Sequence, residues 1–156
     1  MASEQLQQTL AMFKEMGEKM AEAKDMDAMR AVMVDAQAPA GVTCTAVDAG
    51  GVSAEWSVAD TAADDKAILY VHGGGFVMGS AGSHRDLTGR LSKASGARVL
   101  SLNYRLAPEH PFPAAPDDFY AATKWVADNA EGLEVDVNRI SVGGESAGGN
   151  LAAVVA

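Results

Sequence analysis

The residues with the most chemical promise are Gly144-Glu145-Ser146-Ala147-Gly148, a G-x-S-x-G arrangement. A serine hydroxyl raised on a sharp turn, with glycine two residues to either side, can attack an acyl carbon. The flanks supply the setting for such a turn. Ile140-Ser141-Val142-Gly143 reads as a strand entering it, and Ala147 onward as a small-residue helix leaving it. A second segment, His72-Gly73-Gly74-Gly75-Phe76, directly follows a predicted strand, and its successive glycines let the backbone aim N–H groups into a cleft. Two of those donors, with the N–H of Ala147, would surround the negative oxygen formed when Ser146 attacks, so the two segments read as nucleophile and oxyanion hole. Phosphate binding is the rival use of such a loop, but the lysine and hydroxyl residue of a Walker loop and the G-x-G-x-x-G spacing are missing. A plain flexible turn is the other alternative. His72, at a strand end, is read as a brace for the loop through a side-chain hydrogen bond.

These segments need elements to hold them. Strand-like runs at residues 67–72, 97–104 and 139–143 alternate with helical runs at 83–95, 114–130 and 147 onward, which implies parallel pairing and right-handed crossovers. Ile68-Leu69-Tyr70-Val71 and Val99-Leu100-Ser101-Leu102 are nearly continuous apolar runs, as in strands covered on both faces. Upstream, residues 41–48 and 51–59 form a predicted hairpin of edge strands, and residues 62–66 a polar loop. Leu6, Leu10, Phe13, Met16 and Met20 recur at helical spacing, and a second short helix is predicted over residues 26–35. The stretch from Asn103 to Asp118 holds four of the five prolines and reads as a rigid connection, with Pro116, Asp117 and Asp118 in the first turn of the next helix.

With 156 residues, 48% hydrophobic and 21% charged, the chain suits one domain with a buried core. A net charge of -9 opposes nucleic acid and anionic membrane surfaces as partners. There is no secretory signal pattern and no apolar run of membrane-spanning length, so a cytoplasmic protein without stable membrane insertion is expected. The single cysteine, Cys44, reads as a half-buried strand residue. With three scattered histidines there is no metal-ligand spacing, and neither metal nor cofactor is expected.

Taken together, His72-Gly73-Gly74-Gly75, Asn103-Tyr104-Arg105-Leu106-Ala107-Pro108-Glu109 and Gly144-Glu145-Ser146-Ala147-Gly148-Gly149-Asn150 resemble the hormone-sensitive-lipase-like branch of the α/β-hydrolase superfamily, where H-G-G-G, D-Y-R-L-A-P-E and G-D-S-A-G-G-N occur in this order. The resemblance covers roughly residues 43–156. It implies an α/β fold with a mostly parallel sheet whose second strand is antiparallel, cap helices over residues 1–38 and the N-terminal part of a catalytic domain over 39–156. It implies Ser146 as nucleophile and Gly73, Gly74, Gly75 and Ala147 as oxyanion loop; the residues themselves add His72, Gly144 and Gly148 as support, and a small ester is the expected substrate. Asn103 and Glu145 depart from the family's usual aspartates.

Family order places an acid and then a histidine after the serine, and neither follows Ser146 here. His84 and His110 lie upstream, where the family topology does not put a base. The strand at Ile140 would be an open edge and the closing run Leu151–Ala156 has no helix stop, so the sequence is expected to be the N-terminal half of a larger hydrolase. The reading is a carboxylesterase for short or medium acyl esters with its acid and base in a C-terminal half, supplied downstream or by a second chain. A non-catalytic small-molecule binder and an interaction fragment of the same fold stay open as alternatives.

Overall fold

Apolar runs with no polar alternation must be covered on both sides, and the two such runs form the centre of the sheet. In the computed structural model, which describes residues 3–156, β3 (Ala63–Val71) pairs in parallel with β4 (Ala97–Leu102) on one side and with β5 (Ile140–Gly144) on the other. Ahead of them β1 (Val42–Asp48) and β2 (Ser53–Ala59) form an antiparallel hairpin, and β2 also pairs antiparallel with β4. The sheet order is β1-β2-β4-β3-β5. Four strands therefore run one way and only the second runs against them, the arrangement that the resemblance implies. Of the predicted edge hairpin, only β1 lies at an edge, because β4 takes the outer side of β2. Cys44 is half-buried on β1.

One face of the sheet is covered by α4 (Ala114–Asp128) and α5 (Ala147–Val155). Phe119, Ala122 and Val126 of α4 and Leu151 and Ala152 of α5 pack in one cluster with Leu69, Val71, Leu100 and Leu102. The other face is covered by α3 (Arg85–Ser95), preceded by a 3-10 turn at Gly82–His84, and its contact is made by hydroxyls. Thr88 Oγ1 and Ser57 Oγ lie 2.9 Å apart, while Ser92 Oγ accepts from Ala59 N at 3.0 Å and donates to Ala97 O at 2.7 Å. The hydroxyls of Ser57, Thr88 and Ser92 are tolerated there because each has a partner, whereas Ser101 Oγ and Tyr70 Oη are buried without one.

Two elements depart from the reading of the sequence. Residues 63–66 extend β3 past a bulge rather than forming a loop: Ala63 pairs with Ala97, and the polar side chains tolerated at this end include Asp65, which pairs with Arg139. The helix predicted over 26–35 ends early as α2 (Met26–Arg30), after which Val32 N and Met33 N bond three residues back to Met29 O and Arg30 O. It follows α1 (Glu4–Glu22), whose first turn is capped by Ser3 Oγ accepting from Leu6 N. Residues up to Val34 and residues Asp35–Ala156 form two separate compact units. Among the described residues no helix is long and apolar enough to cross a membrane.

Phe119 is fully buried at the centre of the α4 contact. Phe119→Ala is expected to destabilise the Asp35–Ala156 unit by about 3–5 kcal/mol through lost transfer energy and an unfilled cavity, read as a lower urea midpoint at unchanged slope. A loss under about 1 kcal/mol would show that this contact is not the core of the unit.

Candidate active site

The serine turn is set by a backbone approach that only glycine permits. β5 ends at Gly144, whose parallel partner is Val71 at the end of β3, and α5 begins three residues later. A Cβ on Gly148 would collide with the carbonyl oxygens of Val71 and His72, and one on Gly144 with Val71 O and the Gly148 backbone. Between them Ser146 adopts φ 52 and ψ -119, a strained conformation for a residue with a side chain. Gly148 N donates to Glu145 O at 2.8 Å and Asn150 N to Ser146 O at 3.2 Å, which over-determines the turn. Ser146 is exposed, and its hydroxyl makes no hydrogen bond among the described residues.

The glycine loop lies against this turn. Gly74 takes φ 107, where a Cβ would strike Met78 O, and its own carbonyl accepts from Val77 N and Met78 N at 3.1 Å each. Gly73 stands apart from the other loop donors, because its N–H donates to Glu145 Oε1 at 2.6 Å. The N–H groups of Gly74, Gly75 and Ala147 make no hydrogen bond among the described residues. The proline-rich connection holds both ends of the loop: Tyr104 Oη donates to His72 O at 3.1 Å, and Ala107 N to Phe76 O at 2.9 Å. The connection is itself fixed to α4, since Asp118 accepts from Arg105 N at 2.8 Å and from the Arg105 guanidinium at 2.7 Å. Asn103 keeps the acceptor role at its own position, with Oδ1 taking Ala81 N at 2.8 Å.

His72 is buried, its ring stacked on Tyr104 at 4.4 Å and on His84 at 5.4 Å. Nδ1 lies 2.7 Å from Gly73 O and must donate to it, which leaves Nε2 as a buried lone pair with no partner. Burial pushes the imidazole down to about 4, with the nearby His84 acting in the same direction and the bond to Gly73 O against it. Through Nδ1 the ring holds the Gly73 carbonyl of the glycine loop. His84 turns Nε2 toward Glu145 Oε1 at 3.4 Å, a contact that residue spacing alone does not reveal. His110 lines a cleft of about 310 Å³ with Gly75, Phe76, Phe112, Leu151 and Val154. No group of three or more His, Cys, Asp or Glu among the described residues is placed to hold a metal ion.

A strand-turn-helix serine beside a glycine loop on a sheet of this order defines a recognisable architecture, and residues 68–156 match the family described as the alpha/beta hydrolase fold. The chain belongs to that family. Esterase LipI of Mycobacterium tuberculosis is 49% identical over 94 residues, which is 60% of this chain and 29% of that protein. The ethyl acetate hydrolase of Pseudomonas putida is 44% identical over 97 residues, 62% of this chain and 30% of that protein. A solved esterase from the bacterial hormone-sensitive lipase family superposes with a TM-score of 0.89 at 37% identity, over 99% of this chain and 52% of that one. The α/β hydrolase chain thus spans about half the length of the solved esterase, and its matched part under a third of the curated relatives.

The placement of His72 gives the folded chain a pH signature. Between about pH 6.5 and 4 the unfolded chain takes up a proton at residue 72 that the folded chain refuses. The stability this supplies is complete above pH 6.5 and is expected to fall by up to about 3 kcal/mol on acidification, levelling below pH 4. Urea midpoints of the wild type and His72→Asn from pH 8 to pH 4 check it: the wild type should lose more than the variant below pH 6.5. Parallel curves would refute the buried neutral ring.

Proposed function

We propose that this chain carries the nucleophile and oxyanion hole of a serine carboxylesterase acting on short or medium acyl esters. The observation that carries the reading is the exposed Ser146 at φ 52 beside a glycine loop whose Gly74 and Gly75 N–H groups have no protein partner among the described residues. Ser146 Oγ bonds to the ester carbonyl carbon as its proton passes to a base. The carbonyl oxygen becomes an oxyanion held by Gly74, Gly75 and Ala147 N–H, and collapse expels the alcohol, which takes the proton. Water then adds to the acyl-enzyme by the same route, releasing the acid and regenerating the serine. Similarity to an esterase and to an ethyl acetate hydrolase supports ester substrates with a small acyl part.

The acid and base of this reaction are assigned to sequence outside these 156 residues, in the half that the longer relatives carry. His72 is engaged with Gly73 O and His84 is turned to Glu145, so neither is aimed at the serine hydroxyl. Without a base the serine keeps its proton, and most of the rate is lost.

On p-nitrophenyl butyrate, the 156-residue chain is expected to act little faster than solvent. Extending it in frame, or fusing it to the C-terminal half of a solved relative, should raise the rate by roughly 10³-fold or more, and Ser146→Ala should remove the gain. Full activity of the short chain would move the base to His84 or His110. Hydrolysis that survives Ser146→Ala would sink the serine mechanism.

A further inference from the structure

Three segments meet on one carboxylate. Glu145 belongs to the serine turn, and its Oε1 accepts the Gly73 N–H of the glycine loop at 2.6 Å, a short bond of the charge-assisted kind. The same oxygen faces His84 Nε2, at the start of α3, at 3.4 Å. The fit is close, since a Cβ on Gly73 would land 2.6 Å from Glu145 Oε2. His84 is held independently of Glu145. Its Nδ1 sits 2.9 Å from Ser83 Oγ and 3.0 Å from Ser80 O, and its ring stacks on His72. Nε2 is therefore presented to the carboxylate by contacts that do not involve the serine turn.

A loop of three glycines has no side chains with which to fix its own peptide planes, and an oxyanion donor displaced by an ångström loses much of its value. We propose that Glu145 is a positioning residue, which ties the glycine loop to the serine turn through Gly73 N–H, and so fixes the direction of the Gly74 and Gly75 N–H groups. This rests on the esterase reading for its catalytic consequence but not for the tie itself. Glu145 touches no reacting atom and acts through the backbone of the loop. The tie also explains why Gly73, the first donor of the loop, is not available to an oxyanion.

The tie is tested by the Gly73 amide resonance of the ¹⁵N-labelled chain, and its consequence by steady-state kinetics of the extended, active form. In Glu145→Ala the Gly73 proton should move upfield and exchange with solvent roughly 10-fold faster or more, as expected for loss of a local hydrogen bond. In the active form kcat should fall by roughly 10- to 100-fold with KM within about threefold, the split expected for a misplaced oxyanion hole. Glu145→Gln keeps an acceptor of the same length and should show smaller changes in the same directions, which serves if the alanine variant does not fold. His84→Ala should move the Gly73 resonance less than Glu145→Ala does. A Gly73 resonance indifferent to both Glu145 variants, or an unchanged kcat in a variant that has lost the bond, overturns the proposal. Absence of Ser146-dependent hydrolysis in the wild type overturns the esterase reading, and the Gly73 resonance then decides the tie alone.

Discussion

The site depends on the contact between the end of β3 and the backbone of Gly144 and Gly148. Because neither residue carries a Cβ, the serine turn lies directly on the carbonyls of Val71 and His72, the residues that lead into the glycine loop. The β3–β5 ladder, in which Gly144 pairs with Val71, brings the two halves of the candidate machinery together, and the absence of a side chain at two positions lets them approach this closely. The Glu145–Gly73 bond adds a second tie between them, and the hydrogen bonds from Tyr104 and Ala107 fix the loop to the proline-rich connection.

The sheet faces are held in different ways. The α4 and α5 face is apolar and tolerant of small adjustments, while the α3 face is fixed by directional hydrogen bonds from Ser57, Thr88 and Ser92. A hydroxyl network of this kind sets register, because sliding the helix by one residue would leave each buried group unpaired at about 1–3 kcal/mol apiece. Arg85 reinforces it from the helix start through a bidentate pair with Glu55 at 2.7 and 2.8 Å. His84, just before Arg85, inherits that fixed position.

The fold was readable wherever apolar pattern was strong. Ile68–Val71 and Val99–Leu102 announced buried parallel strands, and the glycine spacing around Ser146 announced the turn. The pattern failed at residues 63–66, where Asp64, Asp65 and Lys66 look like a loop although the strand is specified by pairing with Ala97 across a bulge. At the site the glycines were legible because their demand is local. The Glu145–Gly73–His84 convergence was not, since it joins residues far apart in the chain, and no spacing encodes where a carboxylate will turn. The single hint was an acidic residue beside a serine on a tight turn. Likewise Asp118 could be read as a favourable charge at a helix start, but its hold on Arg105 needs three dimensions to see.

Sheet order carries a consequence for synthesis. Both partners of β3 lie later in the chain than β3 itself, and β2 too finds its inner neighbour only in β4. At translation rates of roughly 5–20 residues per second, the apolar Ile68–Val71 run leaves the ribosome seconds before β4 and longer still before β5. For that interval it is an unpaired, adhesive edge. In the nascent chain, the strand that anchors the site is thus exposed to mispairing from the emergence of β3 until β4 and β5 follow.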